Sequence, residues 1–253
     1  MKKYRIFEKY FLNTIFSVPF WLGCILTTLT CYLTLQFQAD YRASAVFEFR
    51  MIHDKAQSFL TLIPGVYGAA LVYYRDIKDQ NYKNVVSRIP LRIYVRTQTV
   101  VCAACTWLIS VLGNMLFIVT YGNVYGWYDV REDAVMLNEL FRGFLPEHIM
   151  SYFLLSAMQL ALLSVIISQI ALTISVGIPQ LAIIFSLPVG IYYFMGILAR
   201  GEMLDPHNLF LGGMLLFQNA WLHLFFVLGL TILVTVIGDK ISYLLWYWRV
   251  HYV

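Results

Sequence analysis

Between residues 149 and 199 the chain carries no Asp, Glu, Lys or Arg. An uncharged run of that length has few folding solutions, because a bilayer core about 30 Å thick is crossed by roughly 20 apolar residues in a helix. In lipid every backbone N–H and C=O must be paired internally, so spanning segments are helices or closed barrels. Further apolar windows recur along the chain, and six spans are expected, at residues 18–37, 58–74, 97–121, 149–171, 176–198 and 221–238. Composition agrees: 60% of residues are hydrophobic, 13% are charged and mean hydropathy is +0.69, against roughly 25% charged in an average soluble domain. The expected fold is an all-α integral membrane protein with one transmembrane domain over residues 1–253.

The formal charge of +4 does not point to nucleic acid, since the basic residues lie in short patches beside apolar spans, where topology explains them. Cys24, Cys31, Cys102 and Cys105 all fall inside expected spans. The Cys102–Cys105 spacing is CxxC, but no second ligand pair accompanies it, and in lipid cysteine packs as a small apolar side chain. Residues 1–16 place Lys2, Lys3, Arg5 and Lys9 beside a stripe containing Phe7, Tyr10, Phe11 and Ile15, the pattern of an interfacial helix. The following apolar run exceeds a usual signal-peptide core, so an uncleaved anchor is expected.

Sidedness follows from charge. With the N-terminus inside, the inner segments hold 12 of the 18 Lys and Arg but only 4 of the 14 acids, which satisfies the positive-inside rule. Six spans place both termini in the cytoplasm. Residues 122–147 are acidic and aromatic and read as external, and residues 38–57 as a balanced polar connection. A short uncharged link near residues 172–175 is expected to join spans four and five in a tight hairpin, with Pro179 and Pro188 bending span five. Residues 199–220 include a run too short to cross and read as a re-entrant external hairpin. The tail after residue 239 is expected along the inner interface. Pro64-Gly65 predicts a bend in span two.

No catalytic constellation emerges. A phosphate-cradling loop needs lysine and Ser/Thr after its last glycine, yet Glu202 and Met203 follow Gly201. Tyr128-Asp129 and Gly238-Asp239 only faintly match an intramembrane aspartyl protease, and the expected topology puts them on opposite sides. Ion-coupled carriers keep ionisable groups deep in their spans, and none lies mid-span here. His223 is expected to pack. Asn114, Gln159 and Gln169 are the deep polar points: interhelical hydrogen bonds are the default for such amides, and a substrate path is the alternative.

One segment stands apart. Residues 75–96, RDIKDQNYKNVVSRIPLRIYVR, form the longest strongly basic stretch between apolar runs. Val85, Val86 and Ile89 could fill a groove, with Lys83, Arg88 and Arg92 at its rim, so a soluble partner could dock there. The order of Asp76 or Asp79, then Val85-Val86-Ser87-Arg88, then Arg96 at a new span resembles the ABC-2 type permeases. In that family this element is the coupling helix seated in the ATPase subunit. Departures are Gln80-Asn81 where a glycine-containing turn is common, and Arg96 in place of lysine. The resemblance implies a six-helix bundle of the ABC-2, type V exporter kind, with an N-terminal interfacial helix, a cytoplasmic coupling helix and an external re-entrant hairpin. It further implies a non-catalytic permease of the cytoplasmic membrane, paired with a second permease copy as homodimer or heterodimer. Two ATPase subunits would bind the ATP and Mg, leaving this chain without a cofactor. Nearly charge-free, aromatic spans favour a hydrophobic or amphipathic cargo such as a peptide, drug or lipid. A non-transporting membrane protein, a sensor or assembly factor whose basic loop binds lipid or a signalling partner, is the alternative, followed by a secondary transporter.

Overall fold

The computed structural model describes residues 2–36, 43–54, 66, 71–129, 141, 144–145, 147–198, 209–210 and 219–252. Among them every regular element is helical: α1 (Lys2–Ile15), α2 (Val18–Gln36), α3 (Ala45–Asp54), α4 (Val72–Lys78), α5 (Asn81–Val86), α6 (Leu91–Tyr125), α7 (Ile149–Gly177), α8 (Leu181–Leu198) and α9 (Ala220–Tyr252). Five of these, α2, α6, α7, α8 and α9, are long and apolar enough to cross a membrane, and the architecture is that of a helical membrane protein. Most of the expected second span at 58–74, including Pro64-Gly65, lies outside the described residues, as does most of the expected hairpin at 199–220.

Helix α1 breaks from α2 at Phe16-Ser17. At the break the Ser17 amide and hydroxyl both donate to the Thr14 carbonyl, at 3.1 and 2.6 Å, which takes up the acceptor that Val18 would have used in a continuing helix. Pro19 then sits in the first turn of α2, where its missing N–H costs nothing.

Helices α6 and α7 form the centre of the bundle, and α7 is the most enclosed of the five apolar helices. Small residues set the close contacts. A Cβ on Gly113 of α6 would stand 2.5 Å from the Thr27 side chain of α2 and 2.9 Å from the Cys24 carbonyl, so the two backbones approach because Gly113 has no side chain. The Thr28 hydroxyl also donates to the Gly113 carbonyl at 3.0 Å. Between α6 and α7, Ser164 donates to Ser110 at 3.2 Å and the Trp107 indole to the Met158 carbonyl at 3.3 Å.

The hairpin link falls later than expected. Helix α7 runs through residues 172–175 to Gly177, and the turn is Ile178-Pro179-Gln180. Proline disfavours helical geometry in the residue before it, and Ile178 is extended at φ −127° and ψ 91°. Pro179 therefore ends a helix instead of bending one, whereas Pro188 does lie within α8.

The connection after α2 holds more structure than its charge balance implies. Helix α3 docks on the end of α6: the Ala45 amide donates to the Gly126 carbonyl at 3.0 Å and the Val46 amide to the Trp127 carbonyl at 3.3 Å. Phe49, Ile52 and His53 are buried on one face, with Phe49 edge-on to Phe153 of α7 at 5.9 Å. At the opposite end of the bundle, α9 does not stop where its apolar run stops. It continues unbroken to Tyr252, and its 33 residues correspond to roughly 50 Å of helix, against a bilayer core of about 30 Å. The tail expected along the interface is thus a helical extension.

Candidate functional site: the two-helix turn before α6

Between α4 and α6 the chain makes two tight turns around the short helix α5. Asp79 ends α4, and Gln80 follows in the left-handed region at φ 54°. Glycine adopts that geometry most cheaply, so Gln80 occupies the very turn where the sequence lacks the glycine. Helix α5 closes at Ser87, whose hydroxyl donates to the Asn84 carbonyl at 2.9 Å. The amides of Arg88 and Ile89 donate to the Val85 carbonyl at 3.0 and 2.9 Å, and Pro90 opens α6. The segment is therefore a rigid elbow joined without slack to a helix of 35 residues.

Its base is held by aromatic side chains from four helices. Trp246 of α9 is fully buried, with ring centroids 5.6 Å from Tyr73 of α4, 5.3 Å from Tyr82 of α5 and 5.9 Å from Tyr94 of α6. Tyr73 donates to the Val95 carbonyl at 3.1 Å, and the Tyr94 hydroxyl donates to the Asp76 carboxylate. Burial raises the Asp76 pKa above the usual carboxylate range, with neighbouring Asp79 adding to the effect, while the Tyr94 hydrogen bond and Arg75 oppose it. Arg96 and Arg92 of α6 attract Asp239 of α9, a second tie between the elbow's outgoing helix and the last helix.

The candidate docking residues divide into two sets. Val85 and Ile89 are half-buried against the chain's own core, and Val86 is half-buried as well. Asp79, Lys83, Ser87, Arg88, Arg92 and Arg96 are exposed. The face open to a partner is thus polar and basic, while two of the three apolar residues fix the elbow to the bundle. Asp76 belongs to the base.

The deep amides lie elsewhere and are enclosed. Asn114 donates to the Ser110 carbonyl at 2.8 Å, and its Oδ1 lies 3.0 Å from His53 Nε2 and 3.7 Å from the Cys31 sulfur. Gln159 donates to the Leu209 carbonyl at 3.4 Å, beside His223, whose Nε2 is 2.8 Å from the same oxygen. Gln169 donates to the Thr99 carbonyl at 3.2 Å. The Oε1 atoms of Gln159 and Gln169 are buried without a partner among the described residues. All four cysteines are buried thiols, and no grouping of metal-ligating side chains occurs among the described residues.

Sequence reasoning missed Trp246, Tyr73 and His53. The signal for Trp246 was the spacing of Gly238, Ser242 and Trp246 at every fourth residue, one face of a helix continuing past Asp239. For His53 it was the apolar recurrence Ala45, Phe49, Ile52 inside a segment weighed only by charge.

No protein-family model, curated protein or solved structure matches this chain.

Proposed function

We propose that the chain is the membrane subunit of an ATP-driven exporter of the ABC-2 type, moving a hydrophobic or amphipathic cargo across the cytoplasmic membrane. In this mechanism the exposed basic side of 79–88 seats in a separate ATPase subunit, one per permease copy, which binds the ATP and Mg. The observation that carries the proposal is the elbow itself: a short helix with Lys83, Ser87 and Arg88 outward, clamped at its base by Trp246 and continuous with α6. A push on such an elbow displaces α6 directly and α9 through the aromatic contact, so the work reaches two long helices at once. Loose polar loops absorb displacement; a hydrogen-bonded elbow transmits it.

Asn114, Gln159 and Gln169 are enclosed and bonded within the chain. A path through one chain would have to break these contacts, so the cargo route is assigned between two permease copies.

The test is co-expression with ATP-binding-cassette ATPase subunits of the source genome, followed by reconstitution into vesicles. A stable complex whose ATP hydrolysis rises with an amphipathic peptide or drug is expected. Absence of any complex, with both chains folded, would contradict the proposal.

A further inference from the structure

A cleft of about 450 Å³ opens between α1 and the elbow, lined on one side by Ile6, Lys9 and Asn13 and on the other by Asn84, Val85 and Arg88. The three α1 residues recur at helical spacing on one face. A second lobe of about 280 Å³ shares Tyr10, Asn13 and Val85 with the first, and continues past Ser17 to Leu71, Val72, Arg75 and Gln98. The combined cleft is chemically graded. Its mouth carries two cations, from Lys9 and Arg88, with amide donors from Asn13 and Asn84 between them. The first lobe's walls are aliphatic, from Ile6, Val85 and Ile89, whereas the second sets Leu71 and Val72 among Thr14, Ser17, Arg75 and Gln98. Asp76 faces the second lobe, but its carboxylate accepts from the Tyr94 hydroxyl, and Arg75 stands beside it.

The cleft also ends at lipid depth. On either side of Ser17 the chain exposes Phe16 at 77% and Val18 at 71%, followed by Trp21 and Leu22 on the outer face of α2. Exposed apolar side chains of that size at the start of a spanning helix lie in acyl chains, so the mouth of the cleft stands at headgroup level. A soluble anion would find the cations but leave the aliphatic strip of Ile6, Val85, Ile89 and Leu71 unfilled.

We infer that this cleft is a binding site for one anionic phospholipid, its phosphate held between Lys9 and Arg88 and its acyl chains running along Val85 and Leu71 toward the exposed start of α2. The Asn13 and Asn84 amides supply further donors to the phosphate oxygens, and charge-assisted bonds of this kind are the strong ones. The lipid fills the space between the interfacial helix and the elbow and thereby fixes their separation. The inference does not depend on transport.

The chain purified alone in detergent, without any ATPase, is titrated with phosphatidylglycerol and with phosphatidylcholine of the same acyl chains, and bound lipid is counted by native mass spectrometry. One phosphatidylglycerol is expected to bind in preference to phosphatidylcholine. Replacing both cations, Lys9→Ala with Arg88→Ala, should weaken that binding roughly 25-fold, about fivefold for each cation near the surface. Arg88→Lys should retain most of it. A charge-matched pair on the same end of the bundle, Lys78→Ala with Lys240→Ala, should leave it within about twofold, and circular dichroism and size-exclusion elution establish that each variant is folded. Equal affinity for the two lipids, an equal loss in the charge-matched pair, or full displacement by glycerol phosphate at the lipid's own concentration would each overturn the assignment. Because no ATPase is present, a failure here is separate from a failure of the exporter proposal.

Discussion

Trp246 is the residue whose removal should be felt most. It is enclosed by Tyr73, Tyr82 and Tyr94, and truncation of a buried aromatic costs about 3–5 kcal/mol. Trp246→Ala should lower the thermal midpoint of the detergent-solubilised chain by several degrees and loosen the elbow, measured as faster hydrogen exchange across 72–90. The indole N–H has no partner among the described residues, so Trp246→Phe loses volume but no hydrogen bond and should retain most of the stability. Asp76 makes a prediction with a definite sign. Its pKa is raised in the folded state by burial, so the native chain holds the proton more tightly than the unfolded chain does. The associated stability is complete below the ordinary carboxylate pKa and is lost as pH rises through the elevated folded value. Asp76→Asn, which still accepts from Tyr94, removes that dependence. The difference in thermal midpoint between variant and wild type should therefore grow in the variant's favour from about pH 4 to 8.

At the scale of elements, the apolar runs were legible because they answer to a single requirement, backbone pairing in lipid. The helix ends were less so, since they answer to local geometry and to neighbours. Hydropathy placed the end of the last span near Gly238, but helix α9 continues because Gly238, Ser242 and Trp246 keep packing, on Thr173 of α7 and then on the elbow. The α7–α8 link moved because Pro179 dictates where the helix stops. Helix α3 was hidden by its balanced charges, although its apolar spacing was visible. The segment proposed for docking stood out by its charge, yet the direction of Val85 and Ile89 was not legible, since a six-residue helix presents apolar residues to whichever side offers a core. Helix α2 supplies a test of element packing. Gly113→Val places side-chain atoms where Thr27 and the Cys24 carbonyl already lie, and overpacking of this kind costs about 1–3 kcal/mol. A lowered thermal midpoint is expected, together with loss of a cross-link engineered between α2 and α6. Leu112→Val, on the exposed side of the same helix turn, should have little effect.

Over the whole molecule, the distribution of polarity sets what the chain can do. One end gathers α1, the elbow and the extension of α9 around a basic, hydrogen-bonded centre, and the other is closed by α3 against α6. The spans between carry apolar outer faces on α2, α8 and α9, suited to a lipid surrounding. Under the proposed exporter reading, work enters at the basic end and passes to α6 and α9. The most direct test is co-purification of a co-expressed ATP-binding-cassette ATPase subunit with wild-type chain and with Lys83→Glu combined with Ser87→Glu, both exposed positions outside the lipid cleft. Association is predicted for the wild type and at least a tenfold loss for the variant, with its thermal midpoint unchanged. Undiminished association of the variant chain would contradict the assignment of the elbow as the point where the ATPase acts.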